Sequence, residues 1–189
     1  GDINHTVRSS YTYLSGHILD FYSYNTTLPF IQGNNYMPST YILFALWNIT
    51  LKFLFGITAE KTVDNIDLLR YVIWYNKIFT SLFYIASIFI IYKISKRLNF
   101  SNNKSKATAY LWATTPIAIF SQFIFGQYDI FTLFFTLLGI YFYLKNDNFK
   151  FILFFGISLT FKYFTLFVFI ILLLQKEKNI FRIIKSCIL

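Results

Sequence analysis

The stretch ATAYLWATTPIAIFSQFIFGQYDIFTLFFTLLGIYFYL, residues 107–144, carries one formal charge, that of Asp129. A second apolar stretch, FILFFGISLTFKYFTLFVFIILLL at residues 151–174, carries only the charge of Lys162. An ionised side chain at membrane depth costs several kcal/mol unless it faces protein or a watery cavity, so such residues are functional candidates. The two stretches together predict a protein embedded in a membrane around a polar cavity.

The composition agrees with this interpretation. Apolar residues make up 56% of the 189 residues, charged residues only 13%, and the mean hydropathy is +0.52. These values lie outside the usual range of soluble domains. The single Cys187 excludes an internal disulfide. The net charge of +9 comes from bases between apolar spans, where membrane topology explains them. We therefore expect a lipid bilayer as partner and no nucleic acid.

Three segments are apolar enough to be spans: residues 71–92, 107–125 and 130–144. The loop between the first two contains five bases and no acid, so the positive-inside rule places it in the cytoplasm. Residues 1–70 and 126–129 are then exterior, and residues 145–150 are cytoplasmic. The bases of the loop are Lys93, Lys96, Arg97, Lys104 and Lys106.

Three other segments are apolar or amphipathic in part. Residues 6–24 have apolar side chains at steps of three and four, which predicts a surface helix. For residues 36–56 we predict a helix in the outer interface, with Pro38 in its first turn; a full span is the alternative. For residues 151–174 we favour two half-length helices that meet near Lys162, because a break at depth is tolerated where it lines a cavity. A single crossing is the alternative.

The predicted fold class is all-α: a polytopic bundle of transmembrane helices with exterior juxtamembrane helices. Residues 1–70 form an exterior part with interfacial helices, and residues 71–189 form the membrane part of the same domain. The predicted location is the plasma membrane, crossed several times. Because the chain opens on Gly1 and stops within an apolar run, we expect a fragment that lacks a first span and a C-terminal part.

The order of several short motifs resembles that of the GT-C type glycosyltransferases, especially the bacterial mannosyltransferases that depend on polyprenyl-phosphate-mannose. The most specific motif is Gly-Gln-Tyr-Asp on an exterior turn between two spans. The matching pieces are Asp2, Leu14-Ser15-Gly16, Tyr36-Met37-Pro38, Phe55-Gly56, Arg70, Gly126-Gln127-Tyr128-Asp129, and Gly156 with Lys162.

This resemblance implies a hexosyltransferase that moves a mannose-like sugar from a polyprenyl-phosphate carrier to an acceptor hydroxyl at the outer face of the membrane. The acceptor is a glycan, a lipid or a protein. In the family a carboxylate of the first exterior loop acts as the base, and Asp2 stands at the matching place, with Asp20 as the second choice. The chain departs from the family in lacking the helix before Asp2 and in having Ser39 where a second proline is common.

The chemistry of the reaction assigns further roles. The leaving lipid phosphate needs a fixed cation where charge develops, and Lys162 is the first candidate, with Arg8 as the second. Asp129 and Gln127 would orient the sugar or the acceptor. We expect no tightly bound cofactor. A divalent metal is an alternative, because His5 and His17 each lie three residues from an acid, although two histidines without further ligands rarely form a site.

Other functions remain open from the sequence. A transporter or flippase of lipid-linked sugars would also use charges and a broken helix near the midplane. A non-catalytic membrane subunit would not need Asp129 or Lys162 at all. Both residues also have a structural explanation. Asp129 begins a predicted helix, where an acid is favourable. The long side chain of Lys162 would extend to an interface if its segment were short.

Overall fold

The chain is helical throughout the part that the structure describes. The computed structural model describes residues 2–29, 31 and 36–176, with the backbone alone for residue 2. These residues form ten α-helices and one π-helical segment and contain no β-strand, so the predicted all-α class is confirmed. In chain order the elements are α1 (Asp2–Leu14), α2 (Phe21–Thr26), α3 (Pro38–Phe55), α4 (Lys61–Asp64), α5 (Ile66–Arg97), α6 (Asn102–Thr114), α7 (Pro116–Ile119), the π-helical segment (Phe120–Phe125), α8 (Asp129–Leu144), α9 (Asn148–Leu159) and α10 (Thr165–Lys176).

The helices group into two compact units, which we describe one at a time. Unit 1 holds the described residues of Gly1–Phe83 and Pro116–Tyr128, and unit 2 holds those of Tyr84–Thr115 and Asp129–Leu189. The helix α5 contributes its first part to unit 1 and its second part to unit 2. The sequence predicts a different division, at residue 70, between an exterior part and a membrane part. That division stays a prediction.

The core of unit 1 forms where α1 packs against α3. Val7 and Tyr11 of α1 are buried there, as are Tyr41 and Phe44 of α3. Polar side chains are buried in the same unit, and they are hydrogen-bonded to each other: Thr12 Oγ1 donates to Asn25 Oδ1 over 2.6 Å. Such polar contacts join helices in surroundings where water is scarce.

The single surface helix predicted for residues 6–24 is wrong. α1 ends at Leu14 and α2 begins at Phe21, and Gly16 between them has a φ of 99°. Glycine adopts this conformation readily because it has no Cβ atom, so the chain turns there. The apolar side chains of the pattern do not share one surface either, since Val7 and Phe21 are buried.

The helix predicted for residues 36–56 is confirmed as α3, with Pro38 as its first residue. Proline is favourable there because its missing N–H has no partner in the first turn of a helix. Lys52, which interrupts the apolar pattern, donates from Nζ to the carbonyl of Leu14 at the end of α1. Whether α3 lies in the interface or crosses the membrane stays a prediction.

α5 is the one helix in the described ranges that is long and apolar enough to cross a membrane, judged by length and composition. It has 32 residues, which is about 48 Å of helix, and it includes the whole predicted span of residues 71–92. The predicted span of residues 130–144 coincides with α8, which is shorter. The polytopic bundle therefore stays a prediction, with one membrane-length helix to support it.

The predicted span of residues 107–125 is not one continuous helix, and whether it crosses the membrane stays a prediction. α6 ends at Thr114, Thr115 is extended, with a φ of −59° and a ψ of 120°, and Pro116 begins α7. A proline inside a helix removes a hydrogen bond, clashes with the preceding turn and disfavours helical backbone in the residue before it. α7 then continues into the π-helical segment, which ends at Gly126.

Unit 2 contains the broken hairpin that the sequence favours for residues 151–174. α9 and α10 are separate helices, with Lys162 in the link between them. They pack against each other through an aromatic cluster in which the ring of Phe169 lies 5.3 Å from those of Phe151 and Phe155. One continuous helix over these residues is excluded, and whether the segment crosses the membrane once or returns to the same side stays a prediction. α8 packs on α9 in the same unit.

Candidate active site

The two lone charges of the apolar stretches form an ion pair within unit 2. Nζ of Lys162 lies 2.6 Å from Oδ1 of Asp129. Asp129 is the first residue of α8, and Lys162 belongs to the non-helical link between α9 and α10. The side chains keep 32% (Lys162) and 43% (Asp129) of their surface exposed, so a small ligand has access to both.

The pairing explains how two charges are tolerated in an apolar part of the chain. An ammonium and a carboxylate that lie together each reduce the cost of removing the other from water. Oδ1 of Asp129 is itself buried, so the contact is shielded from solvent on that side. Asp129 also lies in the first turn of α8, where the helix dipole favours a negative charge. The helix-end position that the sequence indicates and the contact with Lys162 are therefore compatible.

The remaining residues of the Gly-Gln-Tyr-Asp motif belong to unit 1 and form a turn after the π-helical segment. Gly126 has a φ of 69°, and the backbone N–H of Gln127 donates to the carbonyl of Ser121 over 3.0 Å. Tyr128 is buried, and its hydroxyl accepts a hydrogen bond from Thr6 of α1 over 3.2 Å. The motif is thus connected directly to the first helix of the chain.

Lys77 of α5 is a site residue that the sequence analysis did not identify. Its Nζ donates to the carbonyls of Phe123 (3.2 Å) and Ile124 (3.0 Å), at the end of the π-helical segment. Its Cε would lie 3.3 Å from a Cβ atom at Gly126. Lys77 is the only charge within residues 71–92, so the criterion that selected Asp129 and Lys162 would have found it.

A groove of about 550 Å³ lies beside Gln127 in unit 1. Its walls are mostly apolar and come from α7, the π-helical segment and the turn that follows. This volume is within the range of about 300–1,000 Å³ that is usual for small-molecule sites. The lining residues are Pro116, Ile117, Phe120, Ser121, Phe125 and Gln127.

The side chain of Asp2, the proposed base, lies outside the described part of the chain. Its backbone begins α1, and the next residue, Ile3, is buried. Cδ1 of Ile3 would lie 3.2 Å from a Cβ atom at Gly126, so the first turn of α1 is in contact with the Gly-Gln-Tyr-Asp turn. The role of Asp2 as base stays a prediction.

Arg8, the second candidate for the phosphate, lies on α1 and is half-buried. One guanidinium nitrogen, Nη2, donates to the carbonyl of Thr62 over 3.0 Å. Nε is buried and has no hydrogen-bond partner in the described part of the chain. Burial lowers the pKa of Arg8 from its ordinary value, although an arginine stays protonated. The guanidinium of Arg8 has five N–H donors, and the hydrogen bond to Thr62 uses one of them.

Asp20, the second choice of base, interacts with a histidine. Its Oδ2 lies 2.9 Å from Nδ1 of His17, on the exposed surface. The hydrogen bond with His17 lowers the pKa of Asp20 from its ordinary value, which makes the carboxylate a weaker base. Among the residues the structure describes, no three side chains of histidine, cysteine, aspartate or glutamate come together as metal ligands. Whether a divalent metal assists the reaction stays a prediction.

The comparisons with known proteins identify the family of the chain. The model of Glycosyltransferase family 87 matches residues 68–183, which is more than half of the 189 residues and includes the Gly-Gln-Tyr-Asp motif and Lys162. No curated protein and no solved structure matches the chain. The members of this family are membrane glycosyltransferases, in agreement with the activity class that the motif order indicates. The chain belongs to glycosyltransferase family 87.

Proposed function

We propose that this glycosyltransferase moves a hexose, mannose or a close relative, from a polyprenyl-phosphate carrier to an acceptor hydroxyl at the outer face of the plasma membrane. The observation that carries the proposal is the accessible ion pair of Lys162 and Asp129 in the apolar part of the chain. Family membership favours an enzyme over the alternative of a transporter for lipid-linked sugars.

The reaction needs a base, a cation and a lipid-binding surface. The acceptor hydroxyl attacks the anomeric carbon and gives its proton to a carboxylate, while the bond from that carbon to the phosphate oxygen breaks. The leaving polyprenyl phosphate keeps the bonding electrons, so negative charge develops on it. A positioned ammonium stabilises this charge most where water is scarce, which is the role that we assign to Lys162.

Asp129 has two functions in this scheme. Through Oδ1 it holds the ammonium of Lys162 in place and balances its charge before the donor binds. Through Oδ2 it would accept a hydrogen bond from a sugar hydroxyl. Because the ammonium has three donors, Lys162 can contact a phosphate oxygen while it stays close to the carboxylate.

The other roles concern residues of unit 1. Asp2 is the proposed base, because it matches the family position and begins the helix that contacts the Gly-Gln-Tyr-Asp turn through Ile3. Gln127 would orient the sugar or the acceptor at the edge of the 550 Å³ groove, whose apolar walls suit a polyprenyl chain. Arg8 is a second candidate for the phosphate, because its guanidinium keeps its charge and has N–H donors beyond the one bound to Thr62.

The test is sugar transfer from a radiolabelled polyprenyl-phosphate-hexose in membranes that contain the full chain. Lys162→Ala should lower kcat/KM by about 10²–10³-fold, the usual effect of removing one stabilising group. Asp2→Asn should abolish transfer. Lys150→Ala is the matched control, because it breaks another lysine–aspartate pair of unit 2, with Asp147 at 3.2 Å. It should change the rate less than twofold.

A charge exchange, Lys162→Asp with Asp129→Lys, separates catalysis from folding. The exchanged pair keeps the opposite charges together, so the protein should fold, but the ammonium then lies on α8 and transfer should stay low. Full transfer by Lys162→Ala would end the proposal. Recovery of labelled donor that has moved across the membrane intact would favour the transporter.

A further inference from the structure

A basic pocket of about 350 Å³ lies at the end of α5, in unit 2. Three cations from the last turns of α5 line it, together with Asn99, at a φ of 60°, and the ring of Tyr141. Nζ of Lys145 lies 5.4 Å from that ring and adds a fourth positive charge nearby. None of the three cations has an ion-pair partner within the described ranges. They are Lys93, Lys96 and Arg97.

The same helix presents a continuous exposed apolar stripe. Its members follow at steps of three and four residues, which places them on one face of a helix. From residue 71 to residue 89 the stripe is about 27 Å long at 1.5 Å per residue, close to the roughly 30 Å hydrocarbon core of a bilayer. The stripe consists of Tyr71, Trp74, Ile78, Leu82, Ile85 and Phe89, each at least 47% exposed.

The basic pocket continues this stripe. Lys93 follows Phe89 by four residues and Lys96 follows Lys93 by three, so both lysines lie on the face of α5 that the apolar side chains occupy. The side chains of this face thus change from apolar to cationic within one turn. A phospholipid has the same order along its length, with apolar chains followed by a phosphate.

We propose that this pocket binds the phosphate headgroup of an anionic phospholipid, whose acyl chains lie along Ile85 and Phe89. Lys93, Lys96 and Arg97 contact the phosphate, and Tyr141 lies at the depth of the headgroups, where an amphipathic ring is favourable. Basic clusters at the cytoplasmic ends of membrane helices bind such lipids through charge. The site rests on α5 being in a membrane, but it is independent of the sugar and the donor.

The dipole of α5 alone offers another explanation for the cations, because positive side chains are favourable at the C-terminal end of a helix. That explanation predicts no preference for any lipid. It also does not predict which lysines are needed for lipid binding. The pocket does, because Lys93 and Lys96 of α5 line it and Lys104 and Lys106 of α6 do not.

The experiment measures binding of phosphatidylglycerol to the full chain, purified in detergent with phosphatidylcholine, by native mass spectrometry. The double variant Lys93→Gln/Lys96→Gln should bind roughly 30-fold more weakly. Each lysine near an anionic surface raises the affinity about fivefold, and the variant removes two. The matched control Lys104→Gln/Lys106→Gln removes the same charge from exposed positions of α6 and should bind as the wild type does. Lys93→Arg/Lys96→Arg keeps the charge and should retain binding.

Two further arms identify the source of the phosphate. Phosphatidylcholine should bind far more weakly than phosphatidylglycerol, and inorganic phosphate should not displace the bound lipid at millimolar concentration. Equal loss in the two glutamine double variants would overturn the proposal. So would equal binding of the two lipids, or displacement by inorganic phosphate alone.

Discussion

The side-chain amides of Asn48 and Asn76 exchange two hydrogen bonds: Nδ2 of Asn48 donates to Oδ1 of Asn76 over 3.0 Å, and Nδ2 of Asn76 donates to Oδ1 of Asn48 over 2.9 Å. Both residues are fully buried, one on α3 and one on α5. Nδ2 of Asn48 also lies 3.3 Å from Oγ of Ser10 on α1. One amide pair thus connects three helices of unit 1.

We expect replacement of one partner to cost more than replacement of both. Asn76→Leu leaves the amide of Asn48 buried with a lost partner, which should lower the free energy of unfolding by about 1–3 kcal/mol. Asn48→Leu/Asn76→Leu removes both polar groups and should recover part of this loss. The midpoint of thermal unfolding in detergent measures the loss in the single variant and the recovery in the double variant. Thr50→Ala, on the exposed side of α3, is the control and should have little effect; a double variant less stable than the sum of the singles would contradict the expectation.

Gly139 lies where α8 and α9 approach each other closely. A Cβ atom there would clash with Cδ2 of Phe155, which is fully buried. Gly139→Ala must therefore displace an aromatic ring of the α9–α10 core, at a cost of about 1–3 kcal/mol. Gly156→Ala is the control, because nothing lies within 4 Å of its Cβ position. It should be neutral or stabilise the helix by up to about 1 kcal/mol. Equal effects of the two substitutions on thermal unfolding would be inconsistent with this packing.

Asp147 makes unfolding of unit 2 sensitive to acid. Its Oδ1 accepts a hydrogen bond from the backbone N–H of Lys150 over 3.1 Å, at the start of α9. This bond lowers the pKa of Asp147 from its ordinary value. At a pH above the ordinary pKa the ionised carboxylate therefore stabilises the fold. This stabilisation is lost as the pH falls through the lowered pKa of the folded state. Asp147→Asn keeps the helix cap, and its unfolding midpoint should fall less between about pH 6 and pH 3 than that of the wild type. Parallel pH profiles would contradict this.

The ion pair of the site follows from a property that sequence alone shows. Lone charges in apolar stretches must find a partner, and Asp129 and Lys162 find each other. The helix break at Lys162 was favoured because non-helical backbone can line a cavity. The break at Pro116 was missed, since hydropathy does not register the loss of a backbone hydrogen bond. Lys77 is also a lone charge in an apolar stretch, so the same criterion selects it, but its partners are backbone carbonyls that only the structure shows.

We expect Lys77 to act as a positioning residue for the Gly-Gln-Tyr-Asp turn, so its removal should reduce transfer more than stability. Lys77→Met deletes the two hydrogen bonds to the carbonyls of Phe123 and Ile124. Carbonyls at a helix end then lose their partners, and Gly126, which packs against the aliphatic part of Lys77, gains room to move. Displacement of a substrate-orienting residue by about 1 Å lowers rates by up to about 10²-fold.

The comparison variant is Lys61→Met, because Nζ of Lys61 donates to the carbonyl of Gly56 at the end of α3 over 2.7 Å, also in unit 1. Both substitutions should lower the free energy of unfolding by about 0.5–1.5 kcal/mol. Lys77→Met alone should lower kcat in the donor assay, by about tenfold or more, and Lys77→Arg should restore most of it, because a guanidinium also donates to carbonyls. An equal loss of kcat in Lys61→Met would mean that Lys77 acts only through stability.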